Sequence, residues 1–233
     1  MKRKRWTIFF TMVMLMGVFL WGWYLGYWKE NVKASRDMGK SKDVKVEQEI
    51  KQVALTFDDG PSGTYTEILL DGLKERGVKA TFFVIGRYAE EYPEVIRRMD
   101  EEGHVIGNHT YNHVQLNKLS EAEAKKELEM TNKVIESITG KEPVFVRPPF
   151  GEWNRKKDFP VELIPVLWNV DPLDWKVLNT ETVVNRIVKH VDDGDIILLH
   201  DSYPTSVEAA FQCIDILQKE GYQFVTVDEL MFG

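Results

Sequence analysis

Short apolar runs recur along the chain from residue 52 onward, and most of the segments between them have helical period. The runs are Val53–Phe57, Ala80–Ile85, His104–Asn108, Val144–Val146, Val166–Val170, Ile196–Leu199 and Phe224–Val227; the helical segments are Thr66–Arg76, Pro93–Glu102, Ser120–Ile138, Glu181–Val191 and Ser206–Glu220. Each run is too short for a helix and several end at Gly, Pro or Asp, so they read as buried strands. Strands that alternate with helices pair in parallel, because each helix carries the chain back across the sheet. About seven such units predict a barrel or a strongly curved sheet with helices outside. Ser120 with Glu123 predicts a capping box at the start of one helix.

The N-terminus obeys different rules. Lys2, Arg3, Lys4 and Arg5 precede an uncharged stretch from Trp6 to Trp28, long enough as a helix to cross a hydrocarbon core of ~30 Å. A cleaved signal peptide has a shorter apolar region and a small-residue cleavage site, and no such site follows Trp28. The expectation is a transmembrane signal anchor over residues 1–28 in a single-pass cell-membrane protein. Its basic tip would be cytoplasmic and the remainder extracellular. Residues 29–50 are charged and lack a period, as in a linker. Residues 51–233 are left as the catalytic domain.

Charge narrows the partners. Four of the 30 basic residues and none of the 37 acidic ones lie in residues 1–28, so the rest carries a formal charge of −11. Nothing in this recommends nucleic acid, whose binding needs a basic surface. The single Cys213 lies in an apolar helical pattern with Phe211, Ile214 and Leu217 and reads as a packed thiol.

The chemistry gathers at predicted strand ends, where parallel α/β folds place their reactive groups. Asp58 and Asp59, His109, Arg147, Asp171 and Asp174, and His200 all follow such runs, and His113 lies four residues beyond His109. Taken singly, each has a structural reading: the Asp-Asp-Gly a tight turn, the spaced histidines one face of a helical turn, His200 a core histidine, Arg147 a surface ion pair. Together, an acidic pair and two imidazoles suffice to hold one divalent metal with an open position. A second carboxylate and a third imidazole remain to move protons. The chain reads as a metal-dependent hydrolase.

Five ordered segments carry a family resemblance: Thr56-Phe57-Asp58-Asp59-Gly60, His109-Thr110-Tyr111-Asn112-His113, Arg147-Pro148-Pro149-Phe150-Gly151, Asp171-Pro172-Leu173-Asp174-Trp175 and Leu198-Leu199-His200. They resemble the motifs of the polysaccharide deacetylases, carbohydrate esterase family four or NodB-homology domain, over about residues 51–231. The resemblance implies a deformed (β/α) barrel of about seven strands. It also implies roles: Asp59, His109 and His113 as metal ligands, Asp58 as general base and His200 as general acid. Arg147 would orient the base and Asp174 would hold His200. Trp175 and Leu198 would wall a pocket for the acetyl methyl, with the backbone amide of Phe150 helping to bind the oxyanion. Zn suits two histidines and one aspartate, as do Co, Ni and Mn. The segment after Gly151 departs from the family: Pro160 and Pro165 predict a short or irregular crossover.

The implied activity is removal of acetyl groups from N-acetylglucosamine units of a cell-wall polysaccharide, with peptidoglycan favoured by likeness of the His200–Val207 and Gly221–Val227 stretches to peptidoglycan deacetylases. Chitin oligomers, acetylated xylan and a catalytically idle glycan-binding role are the alternatives.

Overall fold

A computed structural model of the protein describes residues 20–30, 33, 50–152 and 162–233. These fall into two units, within residues 1–49 and 50–233. In the first, residues 20–30 are helical and exposed. No helix among the described residues is long and apolar enough to cross a membrane. Most of the expected anchor, residues 6–19, lies outside the described residues, as do most of the expected linker and residues 153–161 of the irregular crossover.

Among its described residues the second unit holds seven parallel strands: β1 (Lys51–Asp58), β2 (Thr81–Val84), β3 (Val105–Asn108), β4 (Phe145–Val146), β5 (Ile164–Pro165), β6 (Asp195–His200) and β7 (Tyr222–Val225). The sheet runs β5-β4-β3-β2-β1-β6, with β7 also on β1. Strand β1 is the hub: β6 pairs along Val53–Asp58, β2 along Thr56–Asp58 and β7 along Lys51–Ala54. Around the sheet lie α1 (Tyr65–Glu75), α2 (Gly86–Glu91), α3 (Pro93–Glu101), α4 (Glu121–Thr139), α5 (Asp174–Val177), α6 (Thr180–His190), α7 (Pro204–Lys219) and α8 (Val227–Phe232).

Strand β1 is buried from Val53 to Asp58 because both its faces are covered. Val53, Leu55 and Phe57 share a cluster with Leu69, Leu70 and Leu73 of α1 and Ala210, Ile214 and Leu217 of α7. Ala54 instead joins Phe83, Phe145, Val166 and Val227 in a second, smaller cluster. Alternation along a strand separates these sets, and it puts Thr56 and Asp58 on the same face as Ala54. The concave interior thus starts apolar and turns polar at the carboxyl end of β1.

Two expected features differ in the structure. Val166–Val170 is no strand beyond an isolated bridge between Val170 and Ile197; the strand here is the two-residue β5 just before it, and the curled sheet is a half-barrel. The carbonyls of Val166 and Leu167 instead accept from the Arg147 guanidinium, each at 3.2 Å. The last strand lies two residues earlier than the run Phe224–Val227: it is Tyr222–Val225, because Val227 opens α8 under a capping box from Thr226 and Glu229. The expected box at α4 is present: Ser120 Oγ accepts from the Glu123 amide at 3.3 Å, and Glu123 returns the contact at 2.9 Å. Gly140, at φ 74°, ends that helix in a conformation that favours glycine.

Candidate metal and catalytic site

Five of the site residues, Asp58, Asp59, His109, Arg147 and His200, stand at or just past the carboxyl end of a strand. Asp58 ends β1 and Asp59 follows at φ 72°. His109 follows β3, Arg147 follows β4, and His200 ends β6. Asp174 opens α5.

The two histidines do not sit on a helical turn. They bracket a loop in which Thr110 and His113 take φ 63° and 56°, and fixed tertiary bonds hold it there. Asn108 Oδ1 accepts from the Thr110 amide at 2.7 Å, while its amide donates to Leu128 O and Asn132 Oδ1 of α4. Glu127, also on α4, accepts from both the backbone and the side-chain amide of Asn112 at 2.8 Å. Helix α4 therefore sets the pitch of the loop that brings His113 back toward His109.

The result is a compact cluster. Nε2 of His109 and Nε2 of His113 lie 3.3 and 3.2 Å from Oδ1 of Asp59. These three side chains each offer a ligand atom within 4.8 Å of the others. His109 Nδ1 stands 2.6 Å from the carbonyl oxygen of Arg147. A carbonyl only accepts, so Nδ1 carries the proton and Nε2 presents a lone pair to the cluster. Oδ1 of Asp59 is buried and has no hydrogen-bond partner. A lone pair that meets an orphaned carboxylate oxygen repels it unless a cation lies between, so this donor set fits a divalent metal. Burial alone would raise the Asp59 pKa, but without a cation the contact with His109 and the positive charge that His109, His113 and His200 carry when protonated outweigh it and hold the carboxyl down at about 2. Burial lowers the pKa of His113, against the pull of Asp59, and favours the neutral ring that a ligand needs.

Asp58 is placed differently from its neighbour. Its Oδ1 takes a 2.9 Å ion pair from Arg147, whose side chain is fully buried, and Oδ2 lies 3.8 Å from His109 Nε2. The same guanidinium nitrogen donates at 2.7 Å to Thr56 Oγ1, which donates in turn to Ile197 O. The guanidinium also lies over the Phe83 ring, 4.2 Å from its centroid. Burial lowers the Arg147 pKa while Asp58 opposes. Paired on every side, Arg147 can only fix where the Asp58 carboxylate points.

His200 faces the cluster from β6, its Nε2 4.0 Å from Asp59 Oδ2. Asp174 is wholly buried and grips His200 twice, accepting from its backbone amide and from Nδ1, both at 2.8 Å. Burial would discharge the imidazole, yet the Asp174 bond and the charges of Asp174, Asp58 and Asp59 prevail and raise its pKa to about 9. One carboxylate fixed by an arginine and one imidazole held by an aspartate thus stand beside the three-residue cluster, a geometry open to proton transfer at both.

A cleft of about 370 Å³ opens over these groups, lined by Asp58, Asp59, His109, His113 and His200 together with Phe150, Trp168, Asp171, Trp175, Leu198 and Tyr203. Phe150 (φ 66°) and Trp175 are 59% and 47% exposed, whereas Leu198 is buried. Phe150 packs on His113 with ring centroids 4.8 Å apart. Trp168 and Tyr203 were not singled out in the sequence, where they look like any partly buried aromatics. Thr56, read only as part of a motif, proves to link Arg147 to β6.

A seven-stranded parallel half-barrel with a His-His-Asp cluster, a fixed carboxylate and a charged histidine is the framework of a hydrolase. The comparisons agree. A family model described as polysaccharide deacetylase matches residues 45–161, and the chain belongs to that family. It is 44% identical over 81% of its length to the peptidoglycan-N-acetylmuramic acid deacetylase PdaC of Bacillus subtilis, but spans only 40% of that relative. It is 38% identical over 77% of its length to a peptidoglycan-N-acetylglucosamine deacetylase of Bacillus cereus, spanning 68% of it. A solved structure of the Bacillus subtilis PdaC superposes with a TM-score of 0.76, covering 78% of this chain and 91% of that one.

Proposed function

We propose that the protein removes N-acetyl groups from N-acetylglucosamine residues of peptidoglycan. The observation that carries this reading is the convergence of the three potential ligands with an Arg147-fixed Asp58 and an Asp174-held His200. Two relatives named as peptidoglycan deacetylases differ in the sugar, one acting on N-acetylmuramic acid and one on N-acetylglucosamine. N-Acetylmuramic acid bears a lactyl group next to the acetamido carbon. The cleft is lined by Asp171 and has no lysine or arginine among its described lining residues, which suits the smaller, uncharged sugar.

Asp59, His109 and His113 would hold the metal, which when bound supplies Lewis acidity toward water and the acyl oxygen. Zn suits this donor set, with Co, Ni or Mn as substitutes. Asp58 takes the proton of the attacking water, its lone pairs aimed by Arg147. His200 delivers a proton to the departing amine, which is too basic to leave without one. Trp175 and Leu198 enclose the acetyl methyl, and the backbone amide of Phe150 meets the oxyanion. We further propose that residues 6–28 anchor the chain in the cell membrane with the catalytic domain outside. Recovery of a shortened protein in the medium, beginning near residue 29, would refute that arrangement.

The deciding assay measures acetate released by the full chain in detergent from peptidoglycan, chitin oligomers and acetylated xylan, with mass analysis of the peptidoglycan products. Glucosamine in the products supports the proposal. De-acetylated muramic acid alone, or acetate from xylan alone, moves the activity to another acceptor.

A further inference from the structure

Asp201, next to His200, is wholly buried yet belongs to none of the groups above. It lies under the loop that follows β1. A Cβ built on Gly60 would sit 2.2 and 2.6 Å from its two carboxyl oxygens, so the carboxyl packs directly against the backbone one residue past Asp59. Only glycine allows that approach. Oδ2 of Asp201 accepts from Thr66 Oγ1 at 2.6 Å. The same hydroxyl accepts from the amide of Ser62 at 2.7 Å. Ser62 Oγ in turn accepts from the Tyr65 and Thr66 amides at the start of α1 and donates to the Asp201 carbonyl at 3.3 Å. On the far side, Gly60 O accepts from the Ile85 amide at 2.9 Å.

We propose that Asp201 and Thr66 form a buried latch that fastens the Asp59–Gly60 loop to the strand end carrying His200, making both of them positioning residues for the metal site. The strand pairing of β1 and β6 ends at Asp58 and His200. Beyond it, Asp59 adopts a left-handed conformation that a non-glycine residue does not keep unaided. The Thr66–Asp201 bond fills that gap. It sets where the Asp59 carboxylate stands relative to both histidine ligands and to His200. A latch of this kind acts on metal affinity and turnover rather than on substrate binding. The inference rests on the metal-dependent deacetylase reading above.

The test compares Thr66→Val, which keeps the shape and loses the hydroxyl, with Thr66→Ser, which does the reverse. Zinc affinity of the full chain in detergent is measured by competition with a chromophoric chelator, and kcat and KM are read separately. Thr66→Val should weaken zinc binding about tenfold or more, the usual scale for groups that orient a ligand, and lower kcat with KM within about twofold. Thr66→Ser should stay within about twofold of the native protein in all three. Damage by Ser with tolerance of Val would mean that Thr66 only fills space, and the latch would be wrong; so would two unchanged variants. If Thr66→Val does not fold, Thr66→Ala decides, since it removes the hydroxyl that donates to Asp201 without setting a methyl group against the buried carboxyl: weakened zinc binding supports the latch and unchanged binding overturns it. A native protein that binds no zinc would bring down the deacetylase reading itself, and the latch with it.

Discussion

The carbonyl oxygen of Arg147 stands 2.6 Å from Nδ1 of His109, so the residue that fixes Asp58 through its side chain fixes a proposed metal ligand through its backbone. Asp58 and His109 are therefore oriented by one residue, just past the end of β4. His109→Ala and His113→Ala should each lose zinc affinity by more than about 100-fold, exceeding the 10–100-fold scale of groups that merely orient ligands. His109, 2% exposed and tautomerically fixed, should be the more sensitive. Equilibrium dialysis with metal analysis checks this, and full stoichiometry in both variants would remove the metal from the mechanism.

The Asp174–His200 pair sets an alkaline limit to activity. His200 must hold its proton to act as the acid, and its pKa is raised to about 9, so activity falls as pH climbs through that region. A bound dication beside Asp59 moves the limb downward. Asp174→Asn removes the charge that keeps the proton on, so the limb should shift to lower pH and kcat should drop about 10²- to 10⁴-fold. The same pair supports the fold below the ordinary histidine pKa of 6.5, and that contribution is lost as pH rises toward 9. Rate profiles and thermal melts of the metal-free protein read the two effects separately. An unmoved alkaline limb in Asp174→Asn would refute the assignment.

Much of this was legible in the sequence because the core is simple. Strand β1 is buried on both faces, so its apolar run stands out, and the order of acidic and imidazole residues at strand ends survives any error of a residue or two in boundaries. The misreadings have a common physical cause. Val166–Val170 has strand composition, but Arg147 draws two of its carbonyls out of the ladder. The His109–His113 spacing fits a helical turn, but Asn108 and helix α4 bend it into a loop with positive φ. Asp201 looks in sequence like any polar residue after a strand, because nothing local says that a distant Thr66 buries it. Thr226 and Glu229 carry a capping signal that is legible in the sequence and ends the last strand at Val225.

Arg147 offers a test of the buried pairing. Its guanidinium has no exposure and meets Asp58, Thr56, Val166 and Leu167. Arg147→Met keeps bulk but leaves Asp58 as a buried charge without its counterion, which costs about 3–5 kcal/mol. The double variant Arg147→Met with Asp58→Asn should recover part of that loss, since the stranded charge is gone. Denaturant melts of the single and double variants check this. A double variant less stable than Arg147→Met would show that the pair is not the source of the cost.

The adjacent aspartates give the sharpest separation. Oδ1 of Asp59 is buried, unpartnered and within 3.3 Å of two imidazole nitrogens, whereas Oδ1 of Asp58 is occupied by Arg147. Asp59→Asn removes the one anionic ligand, so zinc affinity should fall and activity should fall with it, recovering in part at high zinc. Asp58→Asn leaves all three ligands in place. It should bind zinc as the native protein does but turn over about two to four orders of magnitude more slowly, because an amide cannot take the proton of the attacking water. Removing metal with a chelator should silence the native protein and zinc should restore it, while added zinc should do nothing for Asp58→Asn. Metal content and acetate release are measured on both purified variants. If Asp58→Asn is active while Asp59→Asn keeps its metal and is dead, the two roles are exchanged, and if both keep metal and full rate, neither carboxylate does what its geometry indicates.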